Sequence, residues 1–251
     1  MDLSRRNFLF KSTAGAAALA SIPAIVSSCM GETKQIASTL FNSDDVVLYQ
    51  GDSITDAGRE KEKELPNSAS SFGNGYALLA AANLLNSMPD KKLVIYNRGI
   101  SGNKVYQLAD RWDKDCLGLK PDVLSILIGV NDYWHTRRGN YDGTVEIYEN
   151  DYVELLERTK NALPDVKLVL CEPFYVLETS AVDETWVGPM KQYQAAAKRV
   201  SDKFKTIWVP YQQIFDEAVK YAPGTYWTPD GVHPSMAGAQ LMAEAWLKAA
   251  Q

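Results

Sequence analysis

Histidine is nearly absent from this chain. Its 251 residues contain two, His135 and His233. Cysteine is almost as scarce, with Cys29, Cys116 and Cys171 only. No CxxC pair and no HExxH occurs, so a zinc site of the usual spacing and a dithiol redox centre both lack their ligands. No metal or other cofactor is expected. GxGxxG and Walker loops are missing, so nothing implies a nucleotide cofactor. A GxSxG elbow and an SxxK paired with KTG are missing too, which disfavours two familiar serine-hydrolase plans. There is no surplus of positive charge. The formal net charge is −5, which argues against a nucleic-acid partner. Repeats and low-complexity stretches are also wanting. With 46% hydrophobic and 23% charged residues, the composition is that of an ordinary globular domain.

The one long apolar run lies at the N-terminus. Arg5-Arg6 precedes an alanine-rich stretch from Ala14 to Val26, too short to span a bilayer. A charged front before such a run is the pattern of an export signal, and the twin arginine points to the Tat route, with Sec export left open. Val26-Ser27-Ser28-Cys29 resembles a bacterial lipobox, in which Cys29 would carry a lipid; a plain signal peptide is the alternative. Residues 1–28 are thus expected to be a signal, 29–44 a tether and 45–251 the folded domain. Loss of 1–28 removes Arg5, Arg6, Lys11 and Asp2 and moves the formal charge to −7. The expected location is the periplasm or the outer membrane or cell surface. Membrane contact is expected only through the N-terminal lipid.

After residue 45, short apolar runs alternate with helical patterns. Strands are predicted at Val46–Gln50, Leu93–Asn97, Val123–Ile128, Lys167–Cys171 and Thr206–Val209. Such continuous runs suit parallel strands covered on both faces. Helices are predicted at Gly75–Asn86, Lys104–Asp115, Val145–Leu163, Pro189–Phe204, Tyr211–Tyr221 and Ser235–Ala250. The alternation predicts an α/β/α sandwich with a five-stranded parallel sheet. The polar segment from Arg59 to Asn74 reads as a mobile surface loop. Cys171 ends an apolar run and reads as a buried thiol.

Ligands of open α/β sheets bind beyond the carboxyl ends of the strands. Four polar stretches fall there: Gly51-Asp52-Ser53 after the first strand, Asn97 to Asn103 after the second, Gly129-Val130-Asn131-Asp132 after the third, and Thr228 to Pro234 before the last helix. Each has a bland reading. Ser53 could be a turn or cap residue, Gly102 a turn glycine, Asn131 a cap and Asp230 an Asx-turn residue between Pro229 and Gly231. Those readings leave the coincidence of four sites unexplained. A serine needs a neighbouring base to act as a nucleophile, and His233 has a carboxylate three residues earlier. His135 follows Tyr133-Trp134 without a carboxylate at matching spacing and reads as a surface or pocket-rim residue.

In order and spacing these stretches resemble the motif blocks of the SGNH or GDSL hydrolase superfamily, over residues 46 to about 240. The resemblance implies a flavodoxin-like SGNH hydrolase fold and an ester hydrolase. It implies Ser53 as nucleophile, His233 as general base and Asp230 as the group orienting the imidazole. It also implies an oxyanion hole from the Ser53 and Gly102 N–H groups and the Asn131 side chain. YNRGISGNKVYQLADRW and SILIGVNDYW resemble the branch containing carbohydrate acetylesterases. The expected substrate is therefore a small-molecule or polysaccharide O-acetyl ester, with Tyr133, Trp134, Tyr226 and Trp227 as candidate rim residues. A short-chain acyl esterase or lysophospholipase-like enzyme is one alternative. A non-catalytic glycan-binding protein on the same scaffold is another.

Overall fold

The computed structural model describes residues 40–250. The expected signal over 1–28, the lipid site at Cys29 and the tether as far as residue 39 lie outside the described residues.

β1 (Val46–Gly51) runs directly into the one-turn helix α1 (Ser53–Asp56), and a long connection leads to α2 (Tyr76–Ser87) and β2 (Val94–Asn97). The short helices α3 (Val105–Asp110) and α4 (Trp112–Asp115) precede β3 (Val123–Leu127). α5 (Val130–Arg137) and α6 (Val145–Ala162) precede β4 (Lys167–Cys171), and α7 (Val187–Phe204) precedes β5 (Ile207–Val209). α8 (Tyr211–Ala218), α9 (Gly224–Trp227) and α10 (Met236–Ala249) end the domain.

The strands form one sheet in the order β2-β1-β3-β4-β5, every pair parallel. All five residues of β3 are buried, because helices cover both faces. On one face α10 packs against α2 and α8; on the other α6 packs against α7 and α3. In α6 the buried residues Tyr148, Tyr152, Leu155, Leu156 and Thr159 recur at helical spacing. Thr144 caps that helix by accepting from the Ile147 N–H. Trp246 of α10 lies against Tyr49 of β1, centroids 4.9 Å apart, and its indole N–H donates to Ser125 Oγ of β3 at 2.8 Å.

Several sequence expectations are refined. The helix expected over Lys104–Asp115 is broken at Arg111, which leaves helical geometry (φ −111°, ψ 7°). Its guanidinium instead donates to the Arg98 carbonyl and to Asn103 Oδ1. α5 was not anticipated, since VNDYWHTR carries little apolar periodicity. The Arg59–Asn74 segment is pinned rather than loose. Asn67 donates to Leu93 O and Ile95 O and accepts from the Ile95 N–H, closing the free edge of β2. Phe72 is buried, and its carbonyl accepts from Asn97 Nδ2. Residues 40–44, read as the end of a tether, are docked: Phe41 is buried with its ring 6.3 Å from that of Trp246. Cys116 and Cys171 are both free and buried.

Candidate active site

In a sheet of order 2-1-3-4-5 the connections depart in opposite directions from β1, which opens a crevice at the carboxyl ends of β1 and β3. Ser53 follows β1 and Asn131 follows β3, so both stand at that crevice. Asp52, not Ser53, caps α1: its Oδ1 accepts from the Ile54 N–H at 3.0 Å. The Ser53 hydroxyl is thereby left for other work. Its Oγ lies 2.8 Å from His233 Nε2, across 180 residues of chain.

The imidazole is held from behind. His233 Nδ1 lies 2.6 Å from Asp230 Oδ2, while Asp230 Oδ1 accepts from the Val232 and His233 N–H groups at 2.9 and 2.8 Å. Asp230 thus makes two kinds of contact, one oxygen closing an Asx turn and the other facing the ring. Burial pushes the Asp230 carboxyl up, but these hydrogen bonds outweigh it and bring the pKa to about 2. The hydrogen bond to Asp230 raises the His233 pKa above its ordinary value, against burial.

The loop after β2 forms the next wall. Gly102 has φ +82° with open space where a Cβ would stand, so glycine is required there by backbone conformation and not by crowding. Asp56 Oδ2 accepts from the Ser101 N–H at 2.9 Å and from the Ser101 hydroxyl at 2.6 Å, which ties this loop to α1. The buried Asn131 amide donates to the Asn103 carbonyl at 3.3 Å and has a second N–H to spare. Asp132 Oδ1 accepts from the Val105 N–H at 3.2 Å, a second stitch between α5 and the loop. Burial pushes the Asp132 carboxyl up to about 7, helped by Asp52, and pushes Asp52 to about 7 as well.

Of the candidate rim residues, two reach solvent. Trp134 is partly exposed, its ring 6.3 Å from that of His233, and Tyr226 is 55% exposed. The other two belong to the core, a correction to the sequence reading. Tyr133 is packed edge-on against Trp186, and Trp227 donates its buried indole N–H to Ala218 O. An aromatic residue beside a motif carries no sign of which way it points. His135 is partly exposed and accepts from Lys104 Nζ at 3.2 Å. Sequence reasoning missed the supporting roles of Asp56, Asn97 and Lys104. Polar type at a strand's end was the only available signal, and it does not name partners. Among the described residues no cluster of three His, Cys, Asp or Glu could hold a metal ion.

Residues 50–241 match the model of the GDSL-like Lipase/Acylhydrolase family. The chain belongs to that family. This GDSL-like acylhydrolase is 34% identical, over 214 residues, to an acetylxylan esterase of Geobacillus stearothermophilus; the match covers 82% of this chain and 94% of the relative. The crystal structure of that species' acetylxylan esterase superposes with a TM-score of 0.74 at 32% identity, covering 84% of this chain and 95% of the other. A structure described as a GDSL-like lipase from Parabacteroides merdae superposes with a TM-score of 0.82 at 51% identity, covering 84% and 97%. The fold is that of the GDSL/SGNH hydrolases, and the protein is a carboxylic ester hydrolase acting on acyl esters.

Proposed function

We propose that this hydrolase removes O-acetyl groups from carbohydrates by two-step acyl transfer. The Ser53 hydroxyl attacks the ester carbonyl and gives its proton to His233 Nε2. Asp230 holds the ring in the tautomer that can accept it and stabilises the imidazolium that forms. The N–H groups of Ser53 and Gly102 and the free amide N–H of Asn131 receive the negative oxygen of the tetrahedral intermediate. Collapse breaks the bond to the sugar oxygen, which leaves with the proton from His233. Water, deprotonated by the same histidine, then cleaves the acetyl-serine and releases acetate.

The observation that carries the reading is the continuous relay from Ser53 Oγ through both ring nitrogens of His233 to Asp230 Oδ2. The choice of acetyl on sugar is supported by the acetylxylan esterase relative, two of whose crystal structures are catalytic mutants with a serine or a histidine replaced by alanine. The test is acetate release from a panel of acetylated polysaccharides. Ser53→Ala is expected to abolish release and fluorophosphonate labelling while leaving the circular dichroism unaltered. Faster turnover of p-nitrophenyl octanoate than of the acetate would favour the lysophospholipase-like alternative and overturn the deacetylase reading.

The proposed location is outside the cytoplasm, tethered by lipid on Cys29. The twin arginine, the apolar run and the small residues before that cysteine support it.

A further inference from the structure

On α3 and the connection between α5 and α6 stands a second organised cluster that the acyl-transfer chemistry does not use. The rings of Tyr106 and Tyr141 stack, centroids 5.7 Å apart and planes 24° apart. Lys104 Nζ lies 5.5 Å from one centroid and 5.2 Å from the other, and donates to His135 Nδ1. Lys104 is only 5% exposed, so it pins the two rings from beneath while Tyr106 stays 38% exposed.

Two connections tie this platform to the loop and helix of the site. Tyr106 comes four residues after Gly102, so their Cα atoms lie within about 14 Å. His135 stands one helical turn beyond Asn131 on α5, on the same side of the helix. The platform and the proposed oxyanion hole are thus held by one loop and one helix.

A shallow cavity of about 500 Å³ lies at the rings, lined by Tyr106, Asn140, Tyr141, Asp142, Ile147 and Asp151. A second, of about 220 Å³, shares Tyr106 and Asp151 and extends to Asp110, Glu154 and Arg158. Together they form a groove with an aromatic floor, one amide, four carboxylates and a single guanidinium. Aromatic faces stack on the C–H faces of sugar rings, and carboxylates and amides bond hydroxyls. Four carboxylates outnumber two cations, Arg158 in the lining and Lys104 beneath the rings, and so disfavour a chain that carries its own carboxylates.

We propose that this groove is the track for the sugar chain bearing the ester, and that it selects neutral glycans over uronate-bearing ones. The proposal rests on the carbohydrate-ester reading above. Its test compares kcat/KM on acetylated xylo-oligosaccharides, acetylated oligogalacturonides and p-nitrophenyl acetate, with the full-length enzyme. The unaltered enzyme is expected to prefer the neutral oligosaccharides. Tyr106→Ala is expected to lower the ratio of xylo-oligosaccharide to p-nitrophenyl acetate activity by about tenfold. Tyr106→Phe, which keeps the ring, is expected to restore that ratio. Asp142→Asn with Asp151→Asn is expected to raise oligogalacturonide turnover relative to neutral substrate. Both activities are read on the same preparation, so the ratio is insensitive to the fraction folded. A ratio unmoved by Tyr106→Ala, or a preference for the acidic chain, would overturn the groove while the carbohydrate reading stands. Hydrolysis of p-nitrophenyl acetate with no release from any acetylated oligosaccharide would overturn both.

Discussion

At the scale of single residues, protons decide behaviour. Asp230 is ionised above a pH of about 2, so across the working range it keeps the His233 pKa raised. Only the neutral imidazole can accept the Ser53 proton, so activity is expected to climb with pH through the histidine's raised pKa. Asp230→Asn removes the raising hydrogen bond to a carboxylate. It is expected to shift the acid limb of the kcat/KM profile to lower pH and to cut kcat by about 100- to 10,000-fold. An unmoved acid limb would show that another group sets it. Asp132 behaves in the opposite sense. Its folded pKa of about 7 lies above the unfolded value of about 3.9, so burial is tolerated while it is protonated and costs progressively more as pH rises between the two. Asparagine can still accept from the Val105 N–H. Asp132→Asn is therefore expected to leave Tm nearly unchanged at pH 4 and to raise it increasingly towards pH 8, as calorimetry across that range would show.

At the scale of elements, periodic segments were legible and irregular ones were not. β4 runs over the residues expected of it, and α6 ends one residue early, because unbroken apolar strings and helical spacing report burial directly. α5 escaped notice because its inward residues include Asn131 and Asp132, chosen for hydrogen bonds and not for hydrophobicity. Arg59–Asn74 looked loose because its polar residues gave no sign of a partner. Asn67 is that segment's anchor, with φ +54° and two side-chain bonds to the edge of β2. Asn67→Ala loses both bonds and suits that backbone poorly. It is expected to cost about 2 kcal/mol in urea unfolding with an unchanged m-value. Asn67→Gly is expected to recover the backbone part alone. Equal stability of the alanine variant and the unaltered protein would mean the edge is closed by other groups.

At the scale of the whole molecule, the site is a property of closure. Ser53 comes from the start of the domain and His233 from near its end, and α10, directly after His233, packs on α2 and reaches β3 through Trp246. No fragment carries both halves. Activity is accordingly expected to vanish in urea no later than tryptophan fluorescence and ellipticity report unfolding. Activity outlasting the ellipticity change would place the site in a smaller autonomous unit.

Strand positions and the parallel sheet could be read from the chain alone, and the order of the motifs singled out Ser53, Asp230 and His233, which the structure brings into contact. Period and glycine placement are local consequences of backbone geometry, and three of the four motif blocks fall where strands end. Folding alone decided that Asp52 takes the cap and frees Ser53, that Tyr133 and Trp227 turn inward, and that Lys104 supports two tyrosines. Each depends on contacts between segments far apart in sequence, and side-chain direction is set by whichever neighbour the closed fold supplies.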